Sequence, residues 1–456
     1  MTTPDLDQLR KTDPAAAVEA YAGAPESIDP GDSETIGWIA EHSTPVVAPS
    51  LVPLLDGALE RDLDCRRIVL QKLGATAWYG GDTDRAETLW RRAIDIGRPF
   101  GDDLFFRALN NLCLVCHSQA RLAESLILAG VVEREATAPE QLRLRHFALR
   151  KRALVLATML DALTDEVISE CHAQLPGLEE DEQLTALTDI LGIEQRWYLS
   201  QEKWADAVRA SDTRIEALER MPNPILAIVQ GAYLNRLRAR FELEPENRAA
   251  ILDECAEYPR VFALRSQWHR GWKHEYQLLL WRAALDRKDH DEARAILREL
   301  LDDDRNDGFY WDFTDRALKV AERHEFTGPE YDELIDRAAS FMLERIVEAH
   351  RDADALPESV EATREDRTVI GRYQERLVKN HRGIVDRIAR RWKPGDPTFD
   401  LLVQRELATF CAWCRRAKTN DGRWLAASEL SFVERSARIT HGICEDCYQS
   451  EIAGRR

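Results

Sequence analysis

The sequence predicts an all-α chain: an α-solenoid of degenerate helix pairs, then a long connecting helix and a small C-terminal module. Apolar residues recur at three- and four-residue spacing through most of residues 50–350, and strand-like alternation is rare there. Short breaks rich in Gly, Pro and Asp separate the periodic stretches, as expected for turns between helices. The 456 residues suffice for two or three domains with substantial cores.

One stretch has the small and large residues of a packed helix pair at regular spacing. Small residues would let two helices approach closely and large ones would fill the gap between repeats, a pattern formed by Leu73, Gly74, Ala77, Ala86, Trp90 and Ala93. This spacing resembles the tetratricopeptide repeat, and weaker copies are centred on Ala123, Ala207 and Ala293. Because repeats bury their faces against neighbours, the resemblance implies a stacked array. An irregular helical domain with one chance match is the alternative.

The order of these patterns predicts four parts of the chain. A break at Lys393–Pro397 precedes the cysteine-rich end, since two prolines and a glycine interrupt the helical pattern. The expected parts are an N-terminal helical or irregular segment, a repeat array, a long basic connecting helix and a cysteine-rich module, at 1–49, 50–356, 357–393 and 394–456.

Charge is unevenly distributed along the chain. The net charge is −19, yet residues 364–393 hold ten Lys or Arg against four Asp or Glu. This distribution bears on solubility and association and does not specify a fold. No run of eighteen apolar residues occurs, and the N-terminus lacks the basic and apolar regions of a signal peptide, so we expect a cytoplasmic protein with reduced cysteines.

The connecting helix has two equally open interpretations. Its apolar residues fall near a 3-4 spacing, at Ile370, Tyr373, Leu377, Ile384 and Ile388. It could form a short coiled coil and so a homodimer through residues 358–392, or it could pack on the last repeat. Its cations could also contact the phosphates of a nucleic acid, through Arg372, Arg376, Lys379, Arg382, Arg387, Arg390 and Arg391.

The chain end carries paired cysteines with the spacing of a zinc site. Two C-x-x-C pairs, separated by twenty-nine residues, place Cys411, Cys414, Cys444 and Cys447 as ligands. Each pair directs two thiolates to one ion, and the second pair completes a tetrahedron around a structural Zn²⁺. His441 is a possible accessory ligand or second-shell group. A thiol redox switch and unrelated buried cysteines are the alternatives.

This module resembles a short segment at the C-terminus of many bacterial sensor proteins, where it follows PAS domains, histidine-kinase parts or response-regulator receivers. The similarity is carried by the first cysteine pair, an Asp421-Gly-x-Trp424 turn and the His441-Gly-Ile-Cys444-x-x-Cys447 end, which occur in that order. It implies a metal site and a role in signal transduction. It implies no reaction, since no kinase or receiver motif accompanies it.

Other motif-like segments favour structural interpretations. Cys113 and Cys116 lie within a helical pattern, where small side chains fill tight contacts. His269 and His274 lack a neighbouring carboxylate set, and the acidic loop that starts at Asp302 has Phe313 where a calcium loop needs Glu. No phosphate-binding, nucleophile or kinase signature occurs, so we do not expect an enzyme.

The sequence therefore predicts a non-enzymatic scaffold or signalling regulator. Its repeats would bind a protein or peptide partner in their groove, and the zinc module would act as a cap or a second recognition surface. The alternative is a nucleic-acid-binding regulator that uses the basic helix and the zinc module. A redox-sensing module and an enzyme with an unrecognised site in the groove are less favoured.

Overall fold

The computed structural model describes most of the chain up to residue 389 and four short strands near the C-terminus. The described ranges are 3–44, 46–61, 64–222, 224–257, 270–302, 311–335, 337, 361–389, 408–411, 417–418, 424–425 and 439–442. The α-helices are α1 (Thr3–Thr12), α2 (Pro14–Gly23), α3 (Ser33–His42), α4 (Val52–Glu60), α5 (Arg66–Tyr79), α6 (Thr83–Gly97), α7 (Asp103–Ser118), α8 (Leu122–Glu135), α9 (Leu142–Met159), α10 (Thr164–Gln174), α11 (Glu180–Ser200), α12 (Trp204–Glu219), α13 (Leu226–Leu243), α14 (Arg248–Glu257), α15 (Arg270–Asp286), α16 (His290–Asp302), α17 (Trp311–Arg323) and α18 (Arg364–Ala389).

Shorter helical stretches complete the regular structure before the strands. Residues 329–335 are helical, and single 3-10 turns occur at Pro25–Ser27, Pro139–Gln141, Leu175–Gly177 and Pro245–Asn247. The prediction of a helical chain is thus confirmed for the described residues up to 389. None of the helices in the described ranges is long and apolar enough to cross a membrane.

Contacts between Cα atoms divide the chain into two compact units. The first comprises Met1–His117, Glu124–Arg152 and Leu356–Ala362, and the second comprises Ser118–Ala123, Ala153–Ala355 and Thr363–Arg456. In each unit, helices that follow one another in the chain pack together, as α5 with α6, α11 with α12, α12 with α13 and α15 with α16.

One turn geometry recurs where a helix passes into the next. The residue that reverses the chain has a positive φ, between 50° and 83°, at Gly81, Ala120, Leu160, Glu202, Lys288 and Glu325. After Gly81, Leu160, Glu202, Lys288 and Glu325, the following N–H donates to a carbonyl five residues earlier, for example from Asp82 to Ala77 and from Asp161 to Leu156, both at 2.9 Å. This is the bonding of a Schellman C-cap, which satisfies carbonyls at the helix end. Several of these turns lie about 40 residues apart.

In the first unit, the tryptophan of the predicted helix pair packs directly on a glycine. Trp90 of α6 is 2% exposed, and a Cβ added to Gly74 of α5 would lie 2.5 Å from its Nε1 atom. The helices can approach this closely because position 74 has no side chain. The other residues of the predicted pattern are also buried, namely Leu73, Ala77, Ala86 and Ala93.

For two of the three weaker repeat copies, the predicted central alanine lies at the same distance after a turn as Ala86 does. Ala207 and Ala293, like Ala86, lie five residues after a residue with positive φ and are fully buried. In α8 that position belongs to Ser125, two residues after the predicted centre, Ala123. Buried Ser125 instead bonds to Cys113, with Oγ 3.0 Å from the carbonyl oxygen.

The C-terminal module contains a small sheet that the sequence did not predict. Its strands are β1 (Ala408–Cys411), β2 (Ala417–Lys418), β3 (Trp424–Leu425) and β4 (Ile439–Gly442). They are ordered β3-β2-β1-β4, with β1–β2 and β2–β3 antiparallel and β1–β4 parallel. A strand of two to four residues is too short to show the alternation of apolar and polar residues that predicts a strand from sequence.

Candidate functional site

The structure describes the backbone of only two of the five predicted metal-site residues. Cys411 is the last residue of β1, and His441 lies within β4. The other three, Cys414, Cys444 and Cys447, lie outside the described residues. Among the side chains that are described, no group of three or more His, Cys, Asp or Glu could hold a metal ion.

The register of the sheet relates the two cysteine pairs to each other. In the parallel β1–β4 pair, Cys411 lies opposite Gly442 and Phe410 lies opposite His441. Parallel strands have their carboxyl ends at the same edge of a sheet. The first C-x-x-C therefore starts at the edge from which the chain continues toward the second, whose first cysteine, Cys444, follows two residues after β4.

Cys113 and Cys116 form a further C-x-x-C pair, which lies in the interior of the protein. Cys113 and Cys116 are fully buried in α7, and Cys113 Sγ lies 3.2 Å from Ser125 Oγ. Burial raises the pKa of the Cys113 thiol to about 11, so it stays protonated at neutral pH and is a poor metal ligand or nucleophile. The interpretation of this pair as packing residues is confirmed.

The connecting helix α18 docks on the turn between α9 and α10. Arg372 donates from Nε and Nη2 to the two carboxylate oxygens of Asp161, each at 2.8 Å, and Arg376 donates to the carbonyl oxygen of Met159. Burial alone would raise the pKa of Asp161, but the hydrogen bonds from Arg372 and from the Leu163 N–H outweigh it and lower the pKa. Two of the seven cations expected to contact phosphate thus already have partners within the chain.

The apolar face of α18 is buried within the single chain. Ile370, Tyr373 and Leu377 are at most 6% exposed. A dimer through this helix would therefore have to use other residues or displace the present packing. The other two seam residues, Ile384 and Ile388, have no described side chains, and the predicted cations Arg390 and Arg391 lie outside the described residues.

A second unpredicted cluster joins α10 to α11. His172 Nε2 lies 2.9 Å from Glu194 Oε1, and the Trp197 indole N–H donates to Asp165 at 2.7 Å. The hydrogen bond to Glu194 raises the pKa of His172. Because the partners are distant in sequence, no local motif marked this cluster.

A third cluster surrounds His324 after α17. Its Nε2 lies 3.3 Å from Asp286, which also accepts a hydrogen bond from Arg248 at 2.7 Å. Burial lowers the pKa of His324, and nearby Arg282 and Arg323 lower it further despite Asp286. The pKa of His172 is therefore above the ordinary histidine value of 6.5, and the pKa of His324 is below it.

These displacements predict opposite effects of pH on stability. His172, with its raised pKa, contributes stability below about pH 6.5 that is lost as pH rises through its folded-state pKa. His324, with its lowered pKa, contributes stability above about pH 6.5 that is lost as pH falls through its folded-state pKa. An NMR titration of the histidine rings should find His172 above 6.5 and His324 below it.

The control for this titration is Glu194→Gln, which removes the carboxylate beside His172. The pKa of His172 should fall toward 6.5 while that of His324 stays unchanged. A wild-type His172 that titrates at or below 6.5 would contradict the pairing.

Two further predicted features are only partly described. His274 of α15 is 3% exposed, in agreement with a packing role, whereas His269 lies outside the described residues. Most of the acidic loop after Asp302, including residues 303–307, also lies outside them. Comparisons with protein families and with curated proteins find no match for this chain.

Proposed function

We propose that this protein is a cytoplasmic, non-enzymatic scaffold or signalling regulator. Its helix pairs would form an α-solenoid of tetratricopeptide-like repeats that binds a protein or peptide partner. Its C-terminal module would hold a structural Zn²⁺ through Cys411, Cys414, Cys444 and Cys447. The parallel register of β1 and β4 is the observation that carries this proposal, because the strand that ends at Cys411 and the strand that precedes Cys444 in the chain have their carboxyl ends at the same edge of the sheet.

The recurring turn supports the repeat array. Residues with positive φ, several of them about 40 residues apart, end helices, and the same hydrogen bonds follow Gly81, Leu160, Glu202, Lys288 and Glu325. Repeat proteins stack units of 20–45 residues, and the curvature of the stack creates an extended concave surface. Such a surface suits an extended or helical segment of another protein.

The backbone distances of the sheet are compatible with one ion. Adjacent strands lie about 4.8 Å apart, and two residues of chain span at most about 7 Å from Gly442 to Cys444. The first cysteine of each pair, Cys411 and Cys444, can therefore reach a common point. Sequence position 441 is one step out of register with Cys411, and alternate positions of a strand belong to opposite faces, which favours a four-cysteine set over one that includes His441.

Metal analysis of the purified full-length chain tests this site. Protein prepared without chelators should contain about one zinc per chain, and Cys444→Ser should lower the content to near zero because three ligands bind far more weakly than four. The matched control is Cys113→Ser, which changes a buried cysteine of a C-x-x-C pair in α7 and should retain the metal. Zinc far below one equivalent in the wild type, or unchanged content in Cys444→Ser, would contradict the proposal.

A nucleic-acid-binding regulator is the second candidate. Arg364, Arg367 and Lys379 of α18 are exposed, and the described side chains offer them no ion pair. The full chain should then bind double-stranded DNA and RNA, and the logarithm of its binding constant should fall linearly with the logarithm of the salt concentration. Absence of binding at low salt would exclude this candidate and leave the scaffold.

A further inference from the structure

Helix α18 contacts residues in the middle of the chain, more than two hundred positions earlier in the sequence. Its contacts with Asp161 and Met159 join residues 211 and 217 positions apart. Arg372 and Arg376 lie one helical turn apart, next to the buried stripe that contains Tyr373 and Leu377. A single face of the helix therefore supplies both the cations and the apolar contacts.

The receiving carboxylate stands at a repeated position of the fold. Asp82, Asp161 and Asp289 each follow the left-handed residue of a helix-to-helix turn. Asp82 and Asp289 are exposed and accept the N–H of Arg85 and of Glu292, each at 3.1 Å, to cap their own helices. Asp161 is 2% exposed and has Arg372 on both oxygens. Asp161 thus binds the connecting helix, whereas Asp82 and Asp289 cap their own helices.

One feature of the helix itself lowers its stability and another raises it. Gly371 lies beside Arg372 in open space, with no atom within 4 Å of an added Cβ, so no packing contact requires a glycine there. Glycine in a helix interior costs about 1 kcal/mol relative to alanine. A capping box starts the helix, where the N–H groups of Thr363 and Asp366 each bond to the other's side chain, at 2.9 and 3.0 Å. Most helical stability comes from packing rather than from such local terms.

The ion pair that completes the docking is open to solvent on one side. Arg372 is 43% exposed although Asp161 is buried. Dissolved ions can therefore approach the pair from the side of Arg372 and screen it, to a smaller extent than they screen a fully exposed pair. We propose that α18 is a releasable strap, held on the α9–α10 turn by Asp161, Arg372 and Arg376. This inference does not depend on the proposed zinc or partner.

Hydrogen exchange of the full-length chain, read by mass spectrometry, tests the strap. Asp161→Asn should raise the exchange of residues 364–377 by about 10- to 100-fold, since it removes one member of a partly buried ion pair. Asp289→Asn is the matched control, because it changes the same position of another turn that has no arginine partner among the described residues. The control should leave exchange in α18 unchanged.

Salt dependence separates an ionic strap from a general structural role. In the wild type, exchange of residues 364–377 should rise with NaCl concentration, and in Asp161→Asn this dependence should be lost. Arg372→Gln should reproduce the effect from the other partner, and adding it to Asp161→Asn should cause little further change. Equal exchange in Asp161→Asn and the control, or a salt response that persists in Asp161→Asn, would overturn the proposal.

Discussion

Replacing Gly74 with alanine is expected to destabilise the first unit, although alanine is ordinarily the better helix former. The new Cβ would lie 2.5 Å from Nε1 and 2.8 Å from Cδ1 of Trp90. The indole is rigid and 2% exposed, so either it or the α5 and α6 backbones must shift. Overpacking of this kind costs about 1–3 kcal/mol and removing a helical glycine gains about 1 kcal/mol, so we expect a net loss of up to about 2 kcal/mol. Denaturant unfolding of the full chain measures the difference.

The control for Gly74→Ala is Gly371→Ala. It makes the same substitution in the interior of α18, where no atom lies within 4 Å of the added methyl group. It should stabilise α18 by about 0.5–1 kcal/mol. If Gly74→Ala were more stable than the wild type, the close contact between α5 and Trp90 would be refuted.

Removal of the proposed zinc is expected to abolish the C-terminal sheet and leave the helices in place. The strands contain only two to four residues each, too few for a sheet that is stable by itself. Structural zinc contributes about 10–16 kcal/mol of binding free energy, which becomes folding free energy of such a module. A chelator should therefore make residues 408–442 sensitive to protease while the helical circular dichroism changes little.

Two controls accompany this experiment. Added zinc should restore protease resistance, and Cys113→Ser should respond to the chelator as the wild type does, since this cysteine is buried in α7. Unchanged resistance of residues 408–442 in protein that has lost its metal would show that the sheet does not depend on it.

The sequence identified the tight helix pair because its signal is local. Gly74 and Trp90 lie on consecutive helices, and small and large residues at helical spacing specify which faces meet. The recurring turns were less visible, since Leu160, Glu202 and Lys288 carry no glycine signal for the left-handed conformation they adopt. Hydrogen bonding at the helix ends stabilises the left-handed backbone conformation in residues whose Cβ ordinarily disfavours it.

The contacts of the charged clusters were beyond sequence reasoning. Asp161 looks like an ordinary turn residue, and only folding brings it to Arg372, 211 positions later. His172 and Glu194 are 22 positions apart on different helices. Charged side chains are numerous and interchangeable in sequence, so composition cannot decide which of them will meet.

The sequence by itself determined that this chain is helical, where its packed pair lies and which cysteines could bind a metal, because each follows from residue types at short spacing. The tertiary structure decided what α18 contacts, which turn receives its arginines and how the backbones of the two cysteine strands align. Those outcomes depend on long-range approach, where burial and hydrogen bonding act together on residues far apart in the chain.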